Sequence, residues 1–117
     1  MSNDSEAVLV VGAGPVGLVA TASLISQGIP VKLIEATADL AQDLRASTFH
    51  PPTLDFLDKL GIAKKLVDQG LVCKNWQFRD RKKGVIATFD VGLLEGETGF
   101  PFRLQCEQWK LTNALRE

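Results

Sequence analysis

The chain contains two cysteines, one histidine and an almost even balance of 13 basic and 14 acidic residues, and each scarcity removes a class of function. Cys73 and Cys106 have neither the spacing of a zinc site nor a paired redox motif, so they read as reduced thiols and no metal ligand is expected. His50 is the lone imidazole, with no acidic or nucleophilic partner near it in sequence; a place at a helix start is favoured over catalysis. A formal net charge of −1 excludes a general polyanion binder, and nucleic acid is not expected as a partner. Asn3-Asp4-Ser5-Glu6 is polar and acidic where a secretory segment would be basic and then apolar. The apolar run from Ala7 is interrupted by glycine and proline too often to span a bilayer, so no membrane is expected and the expected location is cytoplasmic.

What is present is one domain's worth of chain, 117 residues that are 45% hydrophobic and 23% charged, as in ordinary globular proteins. Its organising stretch is Ala7-Val8-Leu9-Val10-Val11-Gly12-Ala13-Gly14-Pro15-Val16-Gly17, which reads as strand, phosphate-binding turn and helix. Gly12 permits the tight turn, Gly14 lets a pyrophosphate approach the backbone, and Gly17 lets helix and strand pack closely. The N–H groups and positive dipole end of the helix then face the anion. Pro15 suits the first turn, where a missing N–H costs the helix nothing.

Gly28 is a stop for that helix, spanning about 15–27, and Ile29-Pro30-Val31-Lys32-Leu33-Ile34 reads as a second strand ending on Glu35. Glu35 lies 18 residues beyond Gly17, the spacing of a carboxylate that accepts the ribose hydroxyls of an adenosine. A 2′-phosphate there would meet a like charge, which favours FAD or NAD over NADP.

Residues 1–6 are expected to be a disordered lead-in. Apolar residues lie on most faces of the first helix, as in a helix enclosed by its sheet. The stretch 36–44 is a loop with room for one helical turn. Arg45 has two equal readings, a guanidinium folded back toward the cofactor phosphates or a solvent-exposed side chain. His50-Pro51-Pro52-Thr53 opens a helix with Leu54, Leu57 and Leu60 on one face and Gly61 at its end. A second helix over 62–69 buries Ile62, Leu66 and Val67. From Leu71 the period changes to two, and an antiparallel hairpin turns at Arg81-Lys82-Lys83-Gly84. A polar loop over 92–99 follows, and a last helix from near Glu107 carries Leu111, Ala114 and Leu115 along one side.

Val10-Val11-Gly12-Ala13-Gly14-Pro15-Val16-Gly17-Leu18, Glu35, Arg45-Ala46-Ser47, Phe49-His50-Pro51-Pro52-Thr53-Leu54 and Phe102-Arg103-Leu104-Gln105-Cys106-Glu107-Gln108-Trp109 together resemble the FAD-dependent aromatic hydroxylases. The likeness is strongest to the phenol hydroxylase-like branch of the FAD-binding monooxygenases and spans nearly the whole chain. It implies that Gly12, Gly14 and Gly17 hold the FAD pyrophosphate and Glu35 the adenosine ribose, with Pro15, Val16 and Ala36 also among the cofactor-binding residues. Arg45 would reach the phosphate region or NAD(P)H, and Gln105 would hydrogen-bond FAD from the start of the last helix. The implied reaction reduces FAD with NAD(P)H and uses dioxygen to hydroxylate a small aromatic substrate.

The last helix meets Glu117 without a stop signal, and only two parallel strands are legible where the fold is built on more. The expected fold class is therefore α/β, a truncated Rossmann-like FAD-binding domain (β-α-β with the glycine fingerprint) plus an antiparallel hairpin and helices. Residues 7–117 would be its incomplete amino-terminal part, with the hairpin 71–91 starting the substrate-side sheet. The family's later motifs and most of the substrate pocket lie outside the sequence, so no catalytic residue is assigned, and the fragment, lacking most of the flavin's enclosure, is expected to bind FAD weakly or not at all and to be inactive. An open edge on the first strand predicts self-association or a homo-oligomer. The alternatives are another FAD or NAD oxidoreductase, such as a halogenase or dehydrogenase, and a non-catalytic nucleotide-binding module.

Overall fold

A computed structural model describes residues 6–117. The expected lead-in, apart from Glu6, lies outside the described residues. In chain order the elements are β1 (Val8–Val11), α1 (Pro15–Ser26), β2 (Val31–Ile34), β3 (Thr48–Phe49), α2 (Pro51–Lys59), α3 (Ala63–Gln69), β4 (Leu71–Cys73), β5 (Asn75–Asp80), β6 (Gly84–Asp90), β7 (Arg103–Gln105) and α4 (Gln108–Arg116). They form two compact units, one comprising the chain up to Ala46 with Glu107–Glu117, the other Ser47–Cys106.

The first unit is a βαβ layer with a second helix. β1 and β2 pair in parallel with Val8 opposite Val31 and Val11 opposite Ile34. Parallel pairing requires a crossover, which α1 supplies. α1 stops where the Gln27 and Gly28 N–H groups bond back to Leu24 and Ile25, with Gly28 at φ +75°. α4 packs on α1 and buries Leu111, Thr112 and Ala114, while Leu115, expected on the same side, is half-buried.

The expectation that α1 is enclosed fails. Leu18 is its one buried residue, Val16 is 82% exposed, and on β1 Val11 is 76% exposed. The physical reason is stoichiometric: two short strands and one helix cannot cover both faces of an apolar βαβ layer. β1 pairs only with β2 among the described residues, which leaves its other edge open.

The second unit is built on the antiparallel sheet β3-β7-β4, with Phe49 opposite Leu104 and Val72 opposite Leu104 on the other side. Leu54, Leu57, Leu66 and Leu104 are fully buried, each contributing about 1.5–3 kcal/mol of apolar burial. His50 is the N-cap of α2 and Pro51 opens it, as expected, while Leu60 falls just past the last turn. α3 begins at Ala63 with Ile62 as N-cap, and Val67 is only half-buried.

The hairpin is β5-β6, with Asn75 opposite Asp90 and Trp76 opposite Phe89. Asp80 accepts the Lys82 and Lys83 N–H groups at the tip. Leu71–Cys73 belongs instead to the β3-β7-β4 sheet. The alternation runs through both segments, so period alone does not reveal that Lys74 separates two strands with different partners. The expected polar loop contains a 3-10 turn over Val91–Leu94, capped by Asp90 accepting from the Gly92 N–H at 2.8 Å. No helix among the described residues is long and apolar enough to cross a membrane.

Candidate functional site

The turn between β1 and α1 has the conformation that its glycines imply, each for a different reason. Gly12 has φ +101°, a left-handed conformation that favours glycine. A Cβ on Gly17 would lie 1.9 Å from the Gly12 carbonyl oxygen, so helix and turn can approach only without it. Gly14 differs from both. Its φ of −71° suits any residue, and a Cβ there would meet nothing within 4 Å. Neither conformation nor packing within the chain requires glycine at 14, and the space its side chain would occupy is open. That is the arrangement a closely approaching pyrophosphate needs.

α1 follows at once, with Pro15 at its first position and Leu18 N–H making the first helical bond, to Gly14 at 2.9 Å. The N–H groups of Val16 and Gly17 therefore have no acceptor within the helix and, with the dipole, favour an anion.

Glu35, at the end of β2, closes on this turn. Its Oε2 accepts the Ala13 N–H at 2.7 Å, while Oε1 accepts the Thr37 N–H at 2.9 Å and lies 3.0 Å from the Thr37 hydroxyl. These bonds, led by that from Ala13, hold the carboxyl well below its usual range, at about 2. The Ala36 backbone contributes in the same direction. Glu35 is thus a fixed anion beside the turn, with Thr37 as a clamp. The spacing argument finds Glu35 but not Thr37, whose role depends on a loop conformation.

Arg45 is 74% exposed and bonds Asp43 Oδ2 at 2.6 Å, yet it lines one cavity with Ala13, Gly14 and Pro15. That cavity, about 80 Å³, is completed by Leu40, Ala41, Asp43 and, from α4, Gln108, Trp109 and Thr112. It is much smaller than the ~300–1,000 Å³ of an ordinary ligand pocket. Gln108, Trp109 and Thr112 are not among the expected site residues, although Trp109 and Thr112 share a helix face at i, i+3.

Gln105 is the one positional correction among the expected site residues. It ends β7 rather than starting α4, three residues before that helix. Its Nε2 donates to Ser47 Oγ at 2.6 Å, and its Oε1 lies 3.4 Å from the Thr48 hydroxyl.

A glycine turn opening a helix, an open approach at Gly14 and a fixed carboxylate at the end of the next strand define a dinucleotide-binding βαβ unit. The family model described as FAD binding domain matches residues 5–117, and the chain belongs to that family. It is 33% identical over 112 residues to 6-hydroxy-3-succinoylpyridine 3-monooxygenase of Pseudomonas putida, covering 96% of this chain and 28% of that protein. Against para-nitrophenol 4-monooxygenase of a Pseudomonas species the identity is 31%, covering 94% of this chain and 27% of the relative. The crystal structure of p-nitrophenol 4-monooxygenase from Pseudomonas putida superposes with a TM-score of 0.87 at 30% identity, over 95% of this chain and 28% of that one. Aklavinone-11 hydroxylase, solved with FAD and aklavinone, gives 0.76 at 27% identity over 98% of this chain and 24% of the other. The chain thus spans about a quarter of the length of these relatives.

Proposed function

We propose that the chain supplies the FAD-binding portion of a flavin-dependent monooxygenase that hydroxylates a small aromatic substrate with NAD(P)H and dioxygen, in the cytoplasm. The observation that carries this reading is Gly14, a glycine with open space in place of a side chain, set between the free N–H groups of α1 and the Glu35 carboxylate. The relatives, by their names monooxygenases of aromatic compounds, support the reaction class.

The residues present fit FAD. Val16 and Gly17 N–H groups would bond the pyrophosphate, and Glu35 would accept the ribose hydroxyls. The fixed negative charge of Glu35 opposes a 2′-phosphate, which favours FAD at this site over a phosphorylated nucleotide. Arg45 would release Asp43 to pair with a cofactor phosphate or with NAD(P)H, and Gln105 would offer its amide to FAD. When bound, the flavin supplies the electron transfer and oxygen activation that side chains cannot. The chain's own part is to bind and orient it. The β5-β6 hairpin is the start of a substrate-side sheet in this reading, and the 117 residues alone would not turn over.

Calorimetric titration of FAD into the protein and its Glu35→Ala variant tests the assignment. The variant should bind about tenfold or more weakly, because charge-assisted bonds to the ribose are lost. Equal affinities would remove Glu35 from the site.

A further inference from the structure

Of the residues lining the cavity beside Gly14, Arg45 is the one cation and Asp43 the one carboxylate. An acid in the wall of an anion site is unfavourable, because it repels the charge that is to enter. Glu35 already supplies one fixed negative charge at this turn, through its bond from Ala13. Asp43 adds a second, and adds it on the group that a phosphate would use: its Oδ2 accepts from Arg45 Nε at 2.6 Å. The cationic side chain of the cavity is thus committed to an anion of the chain's own.

The pair is placed to break. The Asp43 and Arg45 side chains are 50% and 74% exposed, and an ion pair in that setting is worth about fivefold or less in an equilibrium. No backbone hydrogen bond among the described residues holds residues 40–45. The segment is tied only beyond its two ends, where the Thr37 N–H donates to Glu35 and the Ala46 carbonyl accepts the Gln108 N–H. Asp43 makes no other side-chain bond among the described residues. It can therefore leave the cavity through a change confined to this segment, while Glu35, Ala13 and α1 keep their positions. The α4 wall of Gln108, Trp109 and Thr112 carries no cation, so an incoming phosphate has Arg45 alone to pair with.

We infer that Asp43 is a built-in competitor at this site: it takes up the Arg45 guanidinium that a bound phosphate would use, and so sets the affinity below what the donors of the site could give. The competition stands on the cavity and the ion pair. Identifying the competing anion as the FAD pyrophosphate rests on the function proposed above.

Asp43→Asn keeps the shape of the side chain and removes its charge. It is tested with two probes, FAD and inorganic pyrophosphate, each followed by NMR through the amides of Ala13, Gly14 and Val16. The variant should bind both about threefold or more tightly than the unaltered protein. An Arg45→Ala background separates competition from simple repulsion. Asp43 has no guanidinium to hold there, so Asp43→Asn should give less than half of that gain. Unchanged or weaker binding by Asp43→Asn, or an equal gain with and without Arg45, would overturn the inference. The two probes keep it apart from the cofactor assignment. FAD bound equally by the variant and the unaltered protein overturns this inference alone. Pyrophosphate bound more tightly by the variant, with no FAD binding by either protein, overturns the cofactor assignment alone, and silence of these amides toward both probes overturns both.

Discussion

The Gly12 carbonyl oxygen fills the space that a side chain on Gly17 would need, with a would-be Cβ only 1.9 Å away. Gly17→Ala must therefore push α1 off the turn, at about 1–3 kcal/mol of stability, measurable by urea unfolding. Gly14→Ala is the contrasting case. With φ of −71° and no neighbour within 4 Å, it should leave stability within about 0.5 kcal/mol and still weaken FAD about tenfold or more. A Gly14→Ala protein that binds FAD normally would mean that no ligand passes close to that backbone.

Glu35 predicts a pH dependence of known sign. Its carboxyl is depressed to about 2 in the fold by the Ala13 and Thr37 bonds, against an ordinary value of 4.5. The stabilisation they give is complete above about 4.5 and is lost as pH falls toward about 2. Carboxyl NMR should show Glu35 titrating near the low end of that window, and Thr37→Val should move it upward. Titration at the ordinary value would dissolve the clamp.

Arg45 is exposed and paired with a residue two positions away, so Arg45→Ala should change stability by no more than about 0.5 kcal/mol. A phosphate-directed role predicts weaker FAD or slower flavin reduction by NAD(P)H from the same variant. Cofactor binding and reduction both identical to the unaltered protein would leave Arg45 as a solvated side chain.

The open edge of β1 predicts association. Leu9 is 57% exposed on a strand that has one partner among the described residues, and such an edge recruits another chain. Sedimentation should show mass rising with concentration, and Leu9→Lys should suppress the rise. A concentration-independent monomer would indicate that the edge is protected.

The legible parts of this chain are the local ones. The glycine turn, α1 and Glu35 follow from spacing within about thirty residues, and the β5-β6 hairpin from alternation around one turn. The β3-β7-β4 sheet was not legible, because strands of two and three residues carry no measurable period and Thr48 meets Gln105 across 57 positions. The sequence alone therefore puts Gln105 at a helix start, although Leu104 beside it is the fully buried centre of that sheet. Within the site, Thr37 and the Arg45–Asp43 pair were hidden because loop conformation, not residue type, brings them to their partners. The exposure of α1 is not legible for another reason: an apolar pattern records which surfaces suit burial, not whether strands are present to bury them.

The central claim is that the turn from Gly12 to Gly17 and the carboxylate of Glu35 together receive the adenosine diphosphate half of FAD. Amide NMR during an FAD titration of the labelled protein tests it most directly, since it reports weak as well as tight binding. The account predicts the largest shifts at Ala13, Gly14, Val16 and Gly17, with a second group at Glu35, Ala36 and Thr37 as the Ala13–Glu35 bond adjusts to the ribose. Saturating FAD that leaves those amides unmoved, or shifts confined to other parts of the chain, would contradict it.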